Sequence, residues 1–142
     1  LVTVNKAYDK VMGNDAEMNR LLPAIEHVNR CFAGAITVGE LAKLCSYSET
    51  HFLRVFKKHL KMTPYAFVEQ VRMFHAIDAI RHTKQTIAQI ATSCGFYDHS
   101  AFVKRFKRFA GSSPLKYRRA HQKSKEDVTI LPNREGNPKR AR

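Results

Sequence analysis

The chain has 142 residues, with 25 Lys and Arg against 12 Asp and Glu, a formal net charge of +13 and 44% hydrophobic residues. That is enough for one compact domain or two very small ones, and the charge selects a polyanionic partner, either nucleic acid or an anionic surface. No apolar run approaches the roughly 18 residues of a membrane span, and three cysteines without a CxxC pair or a Cys/His cluster argue against a disulfide framework and a zinc site.

Residues 1–15 have weak periodicity and read as a linker or the remnant of an upstream domain, in keeping with a start at Leu1. A first helix is expected over 16–32, with Met18, Leu21, Leu22, Ile25, Val28 and Phe32 as its apolar stripe. Asp15 is its expected cap, and Pro23 should push the regular part towards Leu22. After Gly34, Thr37 and Glu40 form a capping box for a short helix over 38–45, with Val38, Leu41, Ala42 and Cys45 inward. Ser46-Tyr47-Ser48 makes a turn, and Ser48 caps a helix over 49–60. Its inner face is Phe52, Phe56 and Leu60, and its outer face is Thr50, Arg54, Lys57 and Lys58. Thr63-Pro64 opens a long helix to about residue 82, some 28 Å of connecting rod, with Phe67, Val71, Phe74, Ile77 and Ile80 as its stripe.

The pattern then begins again. Thr86 caps a helix over 87–94 with Ile87, Ile90, Ala91 and Cys94 inward, and Gly95 ends it in the left-handed conformation. Asp98 caps a strongly basic helix with Phe102, Phe106 and Phe109 on one side and Ser100, Lys104 and Lys107 on the other. Ser113-Pro114 opens a last helix to about residue 121, and residues 122–142 are polar, net positive and expected to be disordered. The three cysteines are expected to serve as small core hydrophobes in a reducing, cytoplasmic compartment.

Subtraction exposes an internal repeat. Ala42 and Ala91, Cys45 and Cys94, and Tyr47 and Phe96 are each 49 apart. Phe52 and Phe102, Arg54 and Lys104, Phe56 and Phe106, and Pro64 and Pro114 are each 50 apart, so the second copy has one residue more in its turn. Each copy is a short braced helix, a tight turn and a second helix with a polar outer face, which is a helix-turn-helix. The fold class is therefore all-α: about seven helices, in two helix-turn-helix subdomains (about 37–60 and 86–110) joined by the long helix at about 64–82. The DNA-binding domain spans 16–121. Groove-facing candidates are Thr50, His51, Leu53 and Arg54 in the first copy and His99, Ser100, Ala101 and Lys104 in the second, because Arg, Lys, Ser and Thr can hydrogen-bond base edges and Ala or Leu can touch a thymine methyl. Lys57, Lys58, Lys107, Arg108, Lys116 and Arg118 are candidates for neutralising phosphates.

The run from about Ile36 to Arg119 resembles the DNA-binding domain of the AraC/XylS family of bacterial transcription regulators. The residues that carry the resemblance are Arg72-Met73 with Ala76, Ile87-Ala88, Ile90-Ala91, Gly95-Phe96, Phe102, Phe106-Lys107, Ser113-Pro114 and Tyr117-Arg118. The resemblance implies two helix-turn-helix units set into adjacent major grooves of promoter DNA, contact with RNA polymerase, and a separate effector or dimerisation domain, often upstream. Carried over by position, the base-contacting places are Thr50, Leu53 and Arg54, then His99, Ser100, Ala101 and Lys104. No enzyme activity, cofactor, metal or membrane is implied. Two alternatives stand beside this reading. One is a DNA-repair alkyl transferase using Cys94 as nucleophile and His99 as base; the other is a non-specific nucleic-acid-binding protein.

Overall fold

The computed structural model describes residues 16–122, which among themselves form seven helices and no strand. The expectations for Asp15, for residues 1–15 and for the tail beyond residue 122 lie outside the described residues. The helices are α1 (Ala16–Cys31), α2 (Val38–Leu44), α3 (Glu49–Leu60), α4 (Pro64–His82), α5 (Ile87–Ser93) and α6 (His99–Ala110), followed by α7 over residues 114–122. The chain divides between Arg72 and Met73, inside α4, into two compact units.

In the first unit α1 runs from Ala16 straight through Pro23, which corrects the later start expected from that proline. Proline in a helix interior costs about 3 kcal/mol. Here Met18, Leu21, Ala24 and Val28 are buried on one side, and that burial offsets the missing bond. Leu22, Ile25 and Phe32 are only half-buried, so the stripe is narrower than the sequence predicts and runs through Ala24. Leu41, Ala42, Cys45, Phe52, Val55, Phe56, Val68 and Val71 complete this core. Val55 belongs to it although the sequence does not place it on the inner face. The capping box of α2 forms in both directions, with Glu40 N–H donating to the Thr37 hydroxyl at 3.1 Å and Thr37 N–H donating to the Glu40 carboxylate at 3.3 Å.

The second unit repeats these devices. Thr86 and Gln89 form the equivalent capping box on α5. Met73, Ala76, Ile80, Ile90, Ala91, Cys94, Phe96, Phe102 and Phe106 are buried. The aromatic ladders correspond pair by pair. Phe52–Phe56 and Phe56–Phe67 have ring centroids 5.4 and 5.7 Å apart, and Phe102–Phe106 and Phe106–Tyr117 have them 5.9 and 5.6 Å apart. Each such pair contributes roughly 0.5–1.5 kcal/mol beyond the area it buries. The repeat extends to backbone torsions. Ser46 (φ 58°) matches Gly95 (φ 91°), and Lys61 (φ 60°) matches Gly111 (φ 85°), so turn and C-cap are left-handed in both copies.

Three expectations are corrected here. Phe74 is 56% exposed and Phe109 is 46% exposed, so neither belongs to the core stripe predicted for its helix; they meet each other edge to face at 5.6 Å. No single stripe serves α4, because the first unit takes Val68 and Val71 from it and the second takes Met73, Ala76 and Ile80. Cys31 is exposed, since it closes α1 beyond the last buried position, Val28; only Cys45 and Cys94 are core hydrophobes.

Candidate nucleic-acid interface

In the first unit α3 is fixed by its sealed side. Phe52, Val55 and Phe56 are buried, so Thr50, Leu53, Arg54, Lys57 and Lys58 are exposed on the rest of the helix. Ser48 Oγ accepts from His51 N–H at 3.3 Å and starts the helix. His51 itself is half-buried, with its ring 4.6 Å from that of Tyr47, so it belongs more to the turn than to the outer face. Leu53 is 40% exposed, an apolar contact surface among polar neighbours. Glu49 does not intrude on the basic face. Its carboxylate folds over Gly39, where a Cβ would lie 2.8 Å from Oε1, so the charge rests by the first turn of α2.

The turn in this unit is held by a residue that pattern reading misses. Arg20 of α1 donates from Nη2 to the carbonyls of Cys45 (3.2 Å) and Ser46 (2.9 Å), and its guanidinium lies 4.1 Å from the centroid of the Tyr47 ring. The bonds satisfy carbonyls at the end of α2 and the stacking locks Tyr47. An exposed Arg between apolar positions of a helix gives no signal of this in the sequence.

In the second unit Asp98 Oδ1 accepts from Ala101 N–H at 3.1 Å and caps α6. With Phe102 and Phe106 buried, His99, Ser100, Lys104, Lys107 and Arg108 are exposed, and Ala101 is half-buried. Lys116 is exposed on α7. Neither helix face carries an acid other than those at its N-terminus, so each presents concentrated positive charge.

Two of the expected phosphate contacts are already engaged. Lys58 Nζ lies 2.7 Å from Glu17 Oε1, and His59 Nε2 lies 3.3 Å from the same oxygen. These bonds, Lys58 first and His59 second, hold the Glu17 carboxyl below the usual carboxylate range. Arg118 is engaged by backbone. Its Nε–H donates to the carbonyl of Ile80 at 3.2 Å, Nη2 to that of Thr83 at 3.3 Å, and Nη1 to that of Gln85. The planar fork spans the end of α4 and the loop into α5, so these donors are committed to backbone carbonyls. Arg72 does the same in the first unit, with Nε donating to Phe32 O at 2.6 Å and Nη2 to Gly34 O at 2.8 Å. Arg72 lies eight residues after Pro64 and Arg118 four after Pro114, so the clamp sits one helical turn apart in the two copies.

Burial pushes the thiols of Cys45 and Cys94 above their ordinary value, which disfavours the nucleophilic thiolate. Among the described residues no bond pairs Cys94 with His99, no group of three or more His, Cys, Asp or Glu is placed to hold a metal ion, and no helix is long and apolar enough to cross a membrane.

Comparison with known proteins agrees with this geometry. Residues 41–120, more than half of the chain, match a family described as a helix-turn-helix domain. The Msm operon regulatory protein of Streptococcus mutans is 32% identical over 91 residues, covering 64% of this chain and 33% of that protein. The bifunctional transcriptional activator/DNA repair enzyme AdaA of Bacillus subtilis is 30% identical over 109 residues, covering 77% of this chain and 50% of that protein. Among solved structures, the DNA-binding domain of AdpA, a global transcriptional factor in complex with a target DNA, superposes with a TM-score of 0.69 at 24% identity, over 74% of this chain and 95% of that one. The chain spans about a third of the length of the first curated relatives it matches.

Proposed function

The chain belongs to the AraC/XylS-type helix-turn-helix family of DNA-binding domains, and we propose that it reads double-stranded promoter DNA in a sequence-specific way with both units. One observation carries this reading: α3 and α6 are equivalent capped helices, each sealed on one face by a buried Phe pair and exposed and cationic on the other. Such a helix is suited to the major groove.

In this reading Thr50, Leu53 and Arg54 of α3 and His99, Ser100, Ala101 and Lys104 of α6 meet base edges. Arg54 and Lys104 are the bidentate or charged partners of guanine, and each such pair supplies roughly 1–3 kcal/mol of discrimination. Lys57, Lys107, Arg108 and Lys116 neutralise phosphates, and Lys58 joins them when a phosphate replaces Glu17. RNA polymerase is the proposed protein partner. A domain for effector sensing or dimerisation is proposed for the remainder of the full-length protein, supported by the matched region being about a third of each of the first relatives. The alkyl-transferase alternative uses Cys94 as its nucleophile, and that thiol is buried, with its pKa pushed up by the burial.

The test is selection of bound duplexes from a random pool, followed by titration of the selected duplex with Arg54→Ala and Lys104→Ala variants. Each variant is expected to lose affinity and to relax preference at a few base pairs. Unchanged affinity and preference in both would reject the reading, and equal affinity for random and selected duplex would make the protein a non-specific binder.

A further inference from the structure

The second copy's extra residue can be named. Tyr47 and Phe96 are 49 apart, while the caps Ser48 and Asp98 are 50 apart, so the inserted residue is Tyr97. It is held between two fixed neighbours. Phe96 is buried, donates its N–H to Ala91 O at 2.8 Å and packs on Phe102 with centroids 4.9 Å apart. Asp98 is committed to capping α6. Tyr97 is left 80% exposed, more than any other large hydrophobic residue among the described ones, and no hydrogen bond or ring contact among the described residues engages it. The first unit has nothing like it: its own turn aromatic, Tyr47, lies under Arg20 and beside His51.

Position and chemistry together say what this ring is for. Tyr97 lies two residues before His99, so their Cα atoms are at most about 7.6 Å apart. It therefore stands at the N-terminal end of a helix whose exposed face carries Lys104, Lys107 and Arg108. A tyrosine is rigid, with a greasy ring and one polar tip, and hydroxyl donors of this kind serve as phosphate contacts on duplex DNA. We propose that Tyr97 is a DNA-positioning residue of the second unit, its hydroxyl donating to a backbone phosphate oxygen at the edge of the groove that α6 enters and its ring lying against the adjoining deoxyribose. This rests on the reading of α6 given above.

The contact is neutral and sequence-independent, which separates it from every lysine nearby. Tyr97→Phe, assayed in the full 142-residue chain, is expected to weaken binding roughly tenfold, equally for a duplex selected from a random pool and for a scrambled duplex of the same length. The slope of log affinity against log salt should stay as it was, because no counterion is released on its account. Lys107→Ala, by contrast, should flatten that slope by about 0.9. Thermal melting should be unchanged for Tyr97→Phe, because no hydrogen bond among the described residues engages its hydroxyl. Unchanged affinity for both duplexes overturns the assignment, and so does a loss confined to the selected duplex, which would make Tyr97 a base reader. Lys104→Ala, run alongside, tells the two levels apart. If it weakens binding while Tyr97→Phe does not, only the tyrosine fails; if neither variant has an effect, the placement of α6 fails with it.

Discussion

Glu17, in the first turn of α1, holds Lys58, in the last turn of α3, by a 2.7 Å ion pair that His59 joins from the same side. If Lys58 meets a phosphate as proposed, the phosphate must displace this carboxylate, an exchange of one anion for another. Glu17→Gln should therefore steepen the salt dependence of duplex binding by up to about 0.9 in log–log slope, as one more lysine engages phosphate. A slope identical to that of the parent chain would show that Lys58 stays out of the interface.

The same pair sets a pH dependence of stability. The folded carboxyl titrates below its ordinary value, chiefly because of Lys58 and then His59. Its contribution is fully present above the unfolded carboxylate range and is lost as pH falls through the lowered folded value. Urea melts between roughly pH 5 and pH 3 should show the midpoint falling less steeply in Glu17→Gln than in the parent. The group is solvent-exposed, so the difference should shrink in added salt.

Arg118 is a structural clamp, and its removal should be felt as lost stability. Arg118→Ala leaves the carbonyls of Ile80, Thr83 and Gln85 without their donor and should cost roughly 2 kcal/mol in urea unfolding. Lysine should restore little, since a single ammonium cannot bridge three carbonyls in the plane of a guanidinium. The salt slope of DNA binding should not move; a fall of about 0.9 in Arg118→Ala would return this residue to the phosphate contacts.

Both C-caps are left-handed, Lys61 at φ 60° and Gly111 at φ 85°, but only one carries a side chain. A side chain in that region costs roughly 1 kcal/mol, which glycine avoids. Lys61→Gly should accordingly raise the unfolding free energy and Gly111→Ala should lower it, each by about that amount. Space is not the issue at Gly111, since a Cβ there would meet nothing within 4 Å.

Thiol labelling should sort the cysteines. Cys31 is exposed and should react with an aromatic disulfide reagent in the native state. Cys45 and Cys94 are buried, with thiols pushed up by that burial, and should react only as the chain unfolds. Rapid native-state modification of Cys94 would contradict its placement and reopen the repair reading.

Much of the fold is legible in the sequence because it is written in local chemistry. Thr37, Ser48, Thr86 and Asp98 each cap the helix that the sequence assigns to them, since a capping side chain bonds only to its own first turn. The repeat spacing alone makes Phe52 and Phe102 recognisable as one position, and both are fully buried. Pattern fails where a residue's role depends on distant backbone. Arg20, Arg72 and Arg118 bind carbonyls 25 to 40 residues away, and a basic residue on a helix looks the same in sequence whether it clamps a loop or meets solvent. Phe74 misleads because helical spacing is no guarantee of burial when α4 supplies side chains to two units, and Phe109 because it lies in the last turn of α6, beyond the last buried position, Phe106.

The place where the second copy gained its residue also bears on how the chain diverged. Tyr97 is the one residue between buried Phe96 and the cap Asp98, outside any helix. One codon added a few positions later, inside α6, would have turned every following side chain by about 100°. Phe106 would have left its socket and Arg105 would have been driven into its place. A length change in this turn, unlike one inside α6, leaves helical phase preserved, and it is there that the two copies differ by a residue.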